Sequence, residues 1–198
     1  MINKKELTEL LKIKGGVRGN VLNTDAKYVV SKYGEEGLKK LKKEMEKNGI
    51  KINYGEIKNT EWCPLGWRAV SLLTIKDLFK WSEEDVFAMG MAAPRNSFLI
   101  RTILKYFISL EKTFMELGKY WEKHYSRGKL ETKKIDTEKK FLEFYVKDFN
   151  LHPCLCTYYK GYFKSLAQLL LRSEDIEIEE PECSFKGDSR HKFIITWR

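Results

Sequence analysis

The spacing of apolar residues first changes its period decisively near residue 126, and that change limits the fold more than any other feature. Up to about residue 126 apolar residues recur every three or four positions, the mark of helices with one buried face. After "SRGK" they alternate, and "LETKKI" and "KFLEFYVKDF" around the turn "DTEK" predict a β-hairpin rich in aromatic and β-branched residues. Helical spacing returns in "PCLCTYYKGYFKSLAQLLLR", which Pro153 opens, and "DIEIEE" and "HKFIITW" add two more strands. Helices followed by a strand-strand-helix-strand-strand core predict an α+β fold, with N-terminal helices packed on a C-terminal antiparallel sheet.

Local signals divide the helical part. "KKELTELLKI" predicts a first helix, broken by Gly15, Gly16 and Gly19, and this glycine run lacks the Gly-Lys-Ser/Thr ending of a phosphate loop. Asn23-Thr24-Asp25 predict the cap of a helix reaching Tyr33, where Gly34 stops it, and a charged helix follows over 35–47. "IKINYGEIK" alternates and predicts a short strand. Pro64 opens a core helix, Ser82 and Asp85 cap a further one that Pro94 ends, and a long helix is expected from about Ser97 to Tyr125.

A chain of 198 residues supports one sizeable core, so a single ligand-binding domain over 1–198 is expected, mainly helical over 1–126 and sheet and helix over 127–198. The net charge of +9 raises nucleic acid as a partner. Its distribution opposes that reading, because lysines alternate with acids as in "GLKKLKKEMEKNG", the pattern of a solvated helix face. No apolar run is long enough for a membrane span and no apolar leader follows Met1, so a cytoplasmic protein is expected. The four cysteines of such a chain read as buried thiols or metal ligands, not a disulfide framework. No Gly-x-Ser-x-Gly elbow, His-Glu-x-x-His or dinucleotide fingerprint occurs, and catalysis is not expected.

Two separated segments carry a resemblance. "KGGVRGNVLNTDAKYVVSKYGEEGLKKL" resembles the opening of the heme-nitric-oxide-binding (H-NOX-like) superfamily, and "CTYYKGYFKSL" with "ECSFKGDSRHKF" resembles the vinyl-reductase-type small-molecule-binding domain, whose fold Golgi transport-particle subunits share. Sensors of aromatic compounds in that family hold a structural zinc through cysteines. Carried over, the resemblance implies Cys156, Cys183 and His191 as ligands, with His191 where a cysteine would stand and with His152 or Glu143 as the fourth. Thiolate and imidazole are both zinc ligands in tetrahedral sites, so the exchange keeps the chemistry. The bland alternative is two buried thiols and a strand histidine. Heme is not expected: residues 64–123 contain no histidine for an axial bond, and "HYSRGK" departs from the Tyr-x-Ser-x-Arg propionate motif.

The aromatic stripe Trp62, Trp67, Phe87, Met91, Phe107, Phe114 and Trp121 is either solid core or the lining of the cavity that the resemblance implies between helices and sheet. The expected function is a stand-alone sensor holding a small apolar or aromatic molecule, acting as a homodimer or through a partner protein. A scaffold or assembly subunit with a filled core and a tetrapyrrole-binding accessory protein are the alternatives.

Overall fold

The computed structural model describes residues 2–96 and 110–198. Contacts divide the chain into two compact units, Met1–Val86 with His124–Ser126, and Phe87–Lys123 with Arg127–Arg198.

In the first unit, α1 (Lys4–Leu11) leads into β1 (Gly16–Arg18), α2 (Gly19–Lys47), β2 (Trp62–Pro64) and α3 (Gly66–Phe79). β1 and β2 pair antiparallel, with Val17 opposite Cys63. α2 begins four residues before the expected cap at Asn23, directly after Arg18. Gly19 permits this start, since a Cβ there would lie 2.4 Å from both the Ile57 side chain and the Lys58 carbonyl. Gly34, at φ +66°, interrupts α2 where the stop was expected.

The expected strand over "IKINYGEIK" does not form. Ile50, Ile52 and Tyr54 are buried in alternation, as in a strand, but the segment has no ladder partner among the described residues, and the Asn23 side chain ties it to α2. Asn23 Nδ2 donates to the Ile57 carbonyl (2.8 Å) and to Asn59 Oδ1 (3.2 Å), and the Gly55 amide donates to Asn23 Oδ1 (3.0 Å). Below it lies an ion pair with no access to water: Arg68 on α3 donates to Asp25 Oδ2 on α2, and the two side chains are 0% and 1% exposed.

α4 (Glu83–Asn96) begins with Ser82 and Asp85 bonded to each other's backbone amides, the expected capping pattern, and Pro94 lies inside its last turn. Of the long helix expected from Ser97, the described part is two pieces, α5 (Leu110–Met115) and α6 (Leu117–His124). The break has a visible cause. The Thr132 hydroxyl takes the Phe114 carbonyl (2.6 Å), the acceptor a continuing helix would need. Gly118, where a Cβ would sit 2.6 Å from the Leu130 carbonyl, lets the strand come this close.

The second unit carries the sheet. β3 (Lys129–Asp136), β4 (Phe141–Lys147), α7 (Cys154–Leu171), β5 (Ile176–Glu182) and β6 (His191–Trp197) give the expected strand-strand-helix-strand-strand order, and the antiparallel sheet runs β3-β4-β6-β5. The fold class is α+β, with helices packed against an antiparallel sheet. α7 covers one face of the central strands: Phe163 meets Phe144 at 4.7 Å and Phe193 at 5.2 Å between ring centroids. α4 crosses α7 at backbone contact, since a Cβ on Gly90 would lie 2.1 Å from the Tyr158 carbonyl and one on Gly161 would lie 2.1 Å from the Phe87 carbonyl. Among the described residues no helix is long and apolar enough to cross a membrane.

Candidate metal centre

Four side chains of the second unit converge where β5 leaves the sheet. Cys156 stands in the first turn of α7, Cys183 follows the last residue of β5, and His191 is the first residue of β6. Glu180 on β5 joins them, and the four candidate donor atoms all lie within 4.8 Å of one another. Cys156 Sγ is 3.7 Å from Cys183 Sγ and 3.8 Å from His191 Nδ1, and His191 Nδ1 is 2.9 Å from Glu180 Oε1.

The two edges at Cys156 suit one small cation, while the 2.9 Å edge between His191 and Glu180 is a hydrogen-bond contact that ligation would open to about 3.4 Å. Metal–sulfur bonds of about 2.3 Å and metal–nitrogen bonds of about 2.0–2.1 Å, at tetrahedral angles, place two thiolates about 3.8 Å apart and a thiolate and an imidazole about 3.6 Å apart. Both sulfurs belong to free cysteines, at a separation far beyond the roughly 2.05 Å of a disulfide. His191 and Glu180 are 6% and 9% exposed. Burial, then the Glu180 carboxylate and Cys183, pushes the Cys156 thiol far up. Acidic groups gathered out of water each oppose the other's charge, and a cation at their centre removes that conflict.

The turn between the ligands is built for closeness. The Cys183 amide donates to Asp188 Oδ2 (2.7 Å), the Lys186 amide donates to the Cys183 carbonyl (2.8 Å), and Gly187 adopts φ +100°. Beside the cluster is an apolar void of about 10 Å³, whose walls include Phe149, Phe185 and Phe193. That is room for about one water, so four protein donors and a filled surround describe a closed, structural type of site.

The structure thus brings together Cys156, Cys183 and His191, with Glu180 and neither His152 nor Glu143 as the fourth member of the group. His152 Nδ1 accepts the Cys154 amide (3.1 Å) outside the cluster. Glu143 accepts the Tyr145 hydroxyl (2.6 Å) and pairs with Lys192 (3.3 Å), contacts that hold its carboxyl below the usual range. Glu180, in the strand segment "DIEIEE", was not among the expected ligands. Its parity was the available signal: Ile176, Ile178 and Glu180 share one side of a period-two strand.

The stripe residues that the structure describes stand in different settings. Trp62 is 43% exposed, with the Arg18 guanidinium 3.8 Å above its ring, and Trp67 is half-buried in α3. Phe87 and Met91 are half-buried on α4, Phe114 is fully buried on α5, and Trp121 packs edge-on against Phe149 at 4.7 Å. Phe107 lies outside the described residues.

No protein-family model and no curated protein matches the chain. Solved structures do. An H-NOX protein from S. oneidensis in the Fe(II)NO ligation state has a TM-score of 0.69 at 13% identity, over 91% of this chain and 99% of that one. The Tt I75F/L144F H-NOX has a TM-score of 0.65 at 15% identity, over 91% and 95%. The fold is H-NOX-like. A third match, with a TM-score of 0.61 and 15% identity over 91% and 99%, concerns the modulation of heme redox potential through porphyrin distortion.

These neighbours correct the cofactor expectation, in which structural zinc was admitted and heme was set aside. Two of the solved neighbours are described by their heme, which runs against setting heme aside. The expectation rested on the lack of an axial histidine over residues 64–123, and His124 lies just past that range, its Nδ1 3.2 Å from the side chain of Asn20.

Proposed function

We propose that this chain is a ligand-binding sensor domain built on the H-NOX-like fold, with heme as its first candidate ligand and a divalent metal clipping its last hairpin. The likeness over 91% of the chain at a TM-score of 0.69 carries the sensor reading. Heme, when bound, supplies an iron centre, and the S. oneidensis neighbour is described with nitric oxide on such an iron. Among the described residues His124, whose Nδ1 lies 3.2 Å from the side chain of Asn20, is the axial donor we take as first candidate. A small apolar or aromatic molecule is the second ligand class, supported by the aromatic stripe. We treat the whole chain as one functional domain that acts as a homodimer or with a partner protein.

The clip rests on a different observation, the four converging donors. It retains the vinyl-reductase-type resemblance for the segments around Cys156, Cys183 and His191, and does not compete with heme. A divalent ion that accepts sulfur, nitrogen and oxygen ligands fits the two sulfurs, one nitrogen and one oxygen.

One experiment separates the parts. Protein purified without chelator is analysed for metal by mass spectrometry and then titrated with hemin. One equivalent of divalent metal, lost in Cys183→Ser, supports the clip, and metal-free protein overturns it. A stoichiometric Soret band that His124→Ala shifts or abolishes supports heme. Absence of the band overturns heme, and native mass spectrometry then tests for an apolar ligand. Sedimentation of a monomer at micromolar concentration would remove the homodimer.

A further inference from the structure

The first unit contains an open groove of about 520 Å³ that the sensor reading does not use. Its walls are one face of α2 (Asn23, Ala26, Lys27, Val30), the start of the second half of α2 (Glu35, Leu38) and the loop Tyr54–Asn59. The kink at Gly34 and the clamp of Asn23 on the loop hold the two sides apart, so the shape exists before any ligand arrives. Its volume lies within the roughly 300–1,000 Å³ of small-molecule sites.

The lining is sorted by depth. Tyr54 and Ala26 are buried, and Val30, Leu38 and Ile57 are half-buried. Lys27, Glu35, Glu56 and Lys58 are exposed at the mouth. Among the described residues none of these four takes part in an ion pair, although Lys39 pairs with Glu36 and Lys47 with Glu44 farther along α2. Two cations and two carboxylates at one mouth disfavour a ligand of either single sign, because each attraction is opposed by a like charge nearby. A ligand carrying both charges meets a partner for each while its apolar body lies on the floor.

We infer that this groove binds a small zwitterion with an apolar side chain, the chemistry of an aliphatic or aromatic amino acid. The test is isothermal titration calorimetry of the full chain with L-phenylalanine and L-leucine. It is run beside 2-phenylethylamine and 3-phenylpropionate, and isoamylamine and 4-methylpentanoate, which keep each apolar body and lose one charge. At least one amino acid should bind saturably at one to one, and its two single-charge analogues should bind weaker by about tenfold or more. Lys58→Glu and Glu56→Lys should each weaken binding by about tenfold. Both residues are exposed and outside every described ion pair, so the fold persists, which circular dichroism verifies. Val30→Trp, which fills the floor, should abolish binding. No saturable heat with either amino acid, equal affinity for the analogues, or unchanged affinity in both charge variants would overturn the inference.

Discussion

Replacing the buried Asp25–Arg68 pair by Leu and Met together should make the protein more stable, although breaking the pair from one side should do the reverse. Neither side chain reaches water, and Asp25 Oδ1 has no hydrogen-bond partner. Burial lifts the Asp25 carboxyl from an ordinary 3.8 to about 6, against the opposing pull of Arg68. At pH 7 the ionised carboxyl therefore costs the fold about 3 kcal/mol relative to its protonated form. A folded-state pKa above the unfolded one means stability that is full below about pH 4 and is lost as pH rises through about 6. Arg68→Met alone strands the carboxylate and should cost about 3–5 kcal/mol. Asp25→Leu with Arg68→Met removes both charges and should gain about 1–4 kcal/mol. Urea unfolding at pH 4.5 and pH 7 measures each. The wild-type loss between those pH values should shrink in the double variant by about 2 kcal/mol, because about 1 kcal/mol of the carboxyl's cost is already present at pH 4.5. A double variant less stable than wild type at pH 7, or with an undiminished pH difference, would refute the reasoning.

Two further substitutions test other packing and donor claims. Gly161→Ala must push α7 away from the Phe87 carbonyl, so thermal unfolding should show a loss of about 1–3 kcal/mol or more. Glu180→Gln should keep the fold and lower metal affinity about tenfold or more, measured by competition with a chromophoric chelator.

Sequence period made the sheet half of the fold legible, because β3, β4, β5 and β6 each alternate and Pro153 marks the entry to α7. It failed where one residue replaces a ladder. Ile50, Ile52 and Tyr54 alternate without a partner strand because Asn23, far away in sequence, satisfies the loop backbone. At the candidate site Cys156, Cys183 and His191 came from the family resemblance, since spacing alone left two buried thiols and a strand histidine as the alternative. Glu180 was not legible, since a glutamate in an acidic run carries no mark of the side it faces unless its parity is counted. Asp25 and Arg68, 43 residues apart, gave no local signal at all.

The position of the donors within the sheet implies what the metal does for the fold. β5 pairs with β6 in regular register from Ile176 to Glu179, and the register then shifts before Glu182 meets Lys192. Glu180 sits inside that irregularity, next to Pro181, which has no amide to give a ladder. Cys183 lies just past it, with its amide bonded to Asp188 instead of to a strand. Ligation thus falls where backbone pairing is weakest, and metal bonds to Cys156 and His191 would hold the end of β5 in place of ladder hydrogen bonds. Removing the metal should therefore loosen one end of the strand and spare the other. Amide hydrogen exchange with and without a strong chelator measures this: protection at Glu182 and Cys183 should fall at least tenfold, while Ile178 should hold its protection, because local opening precedes global unfolding. A uniform loss along β5 would show that the metal acts on the whole unit, and unchanged protection would show that the turn holds itself.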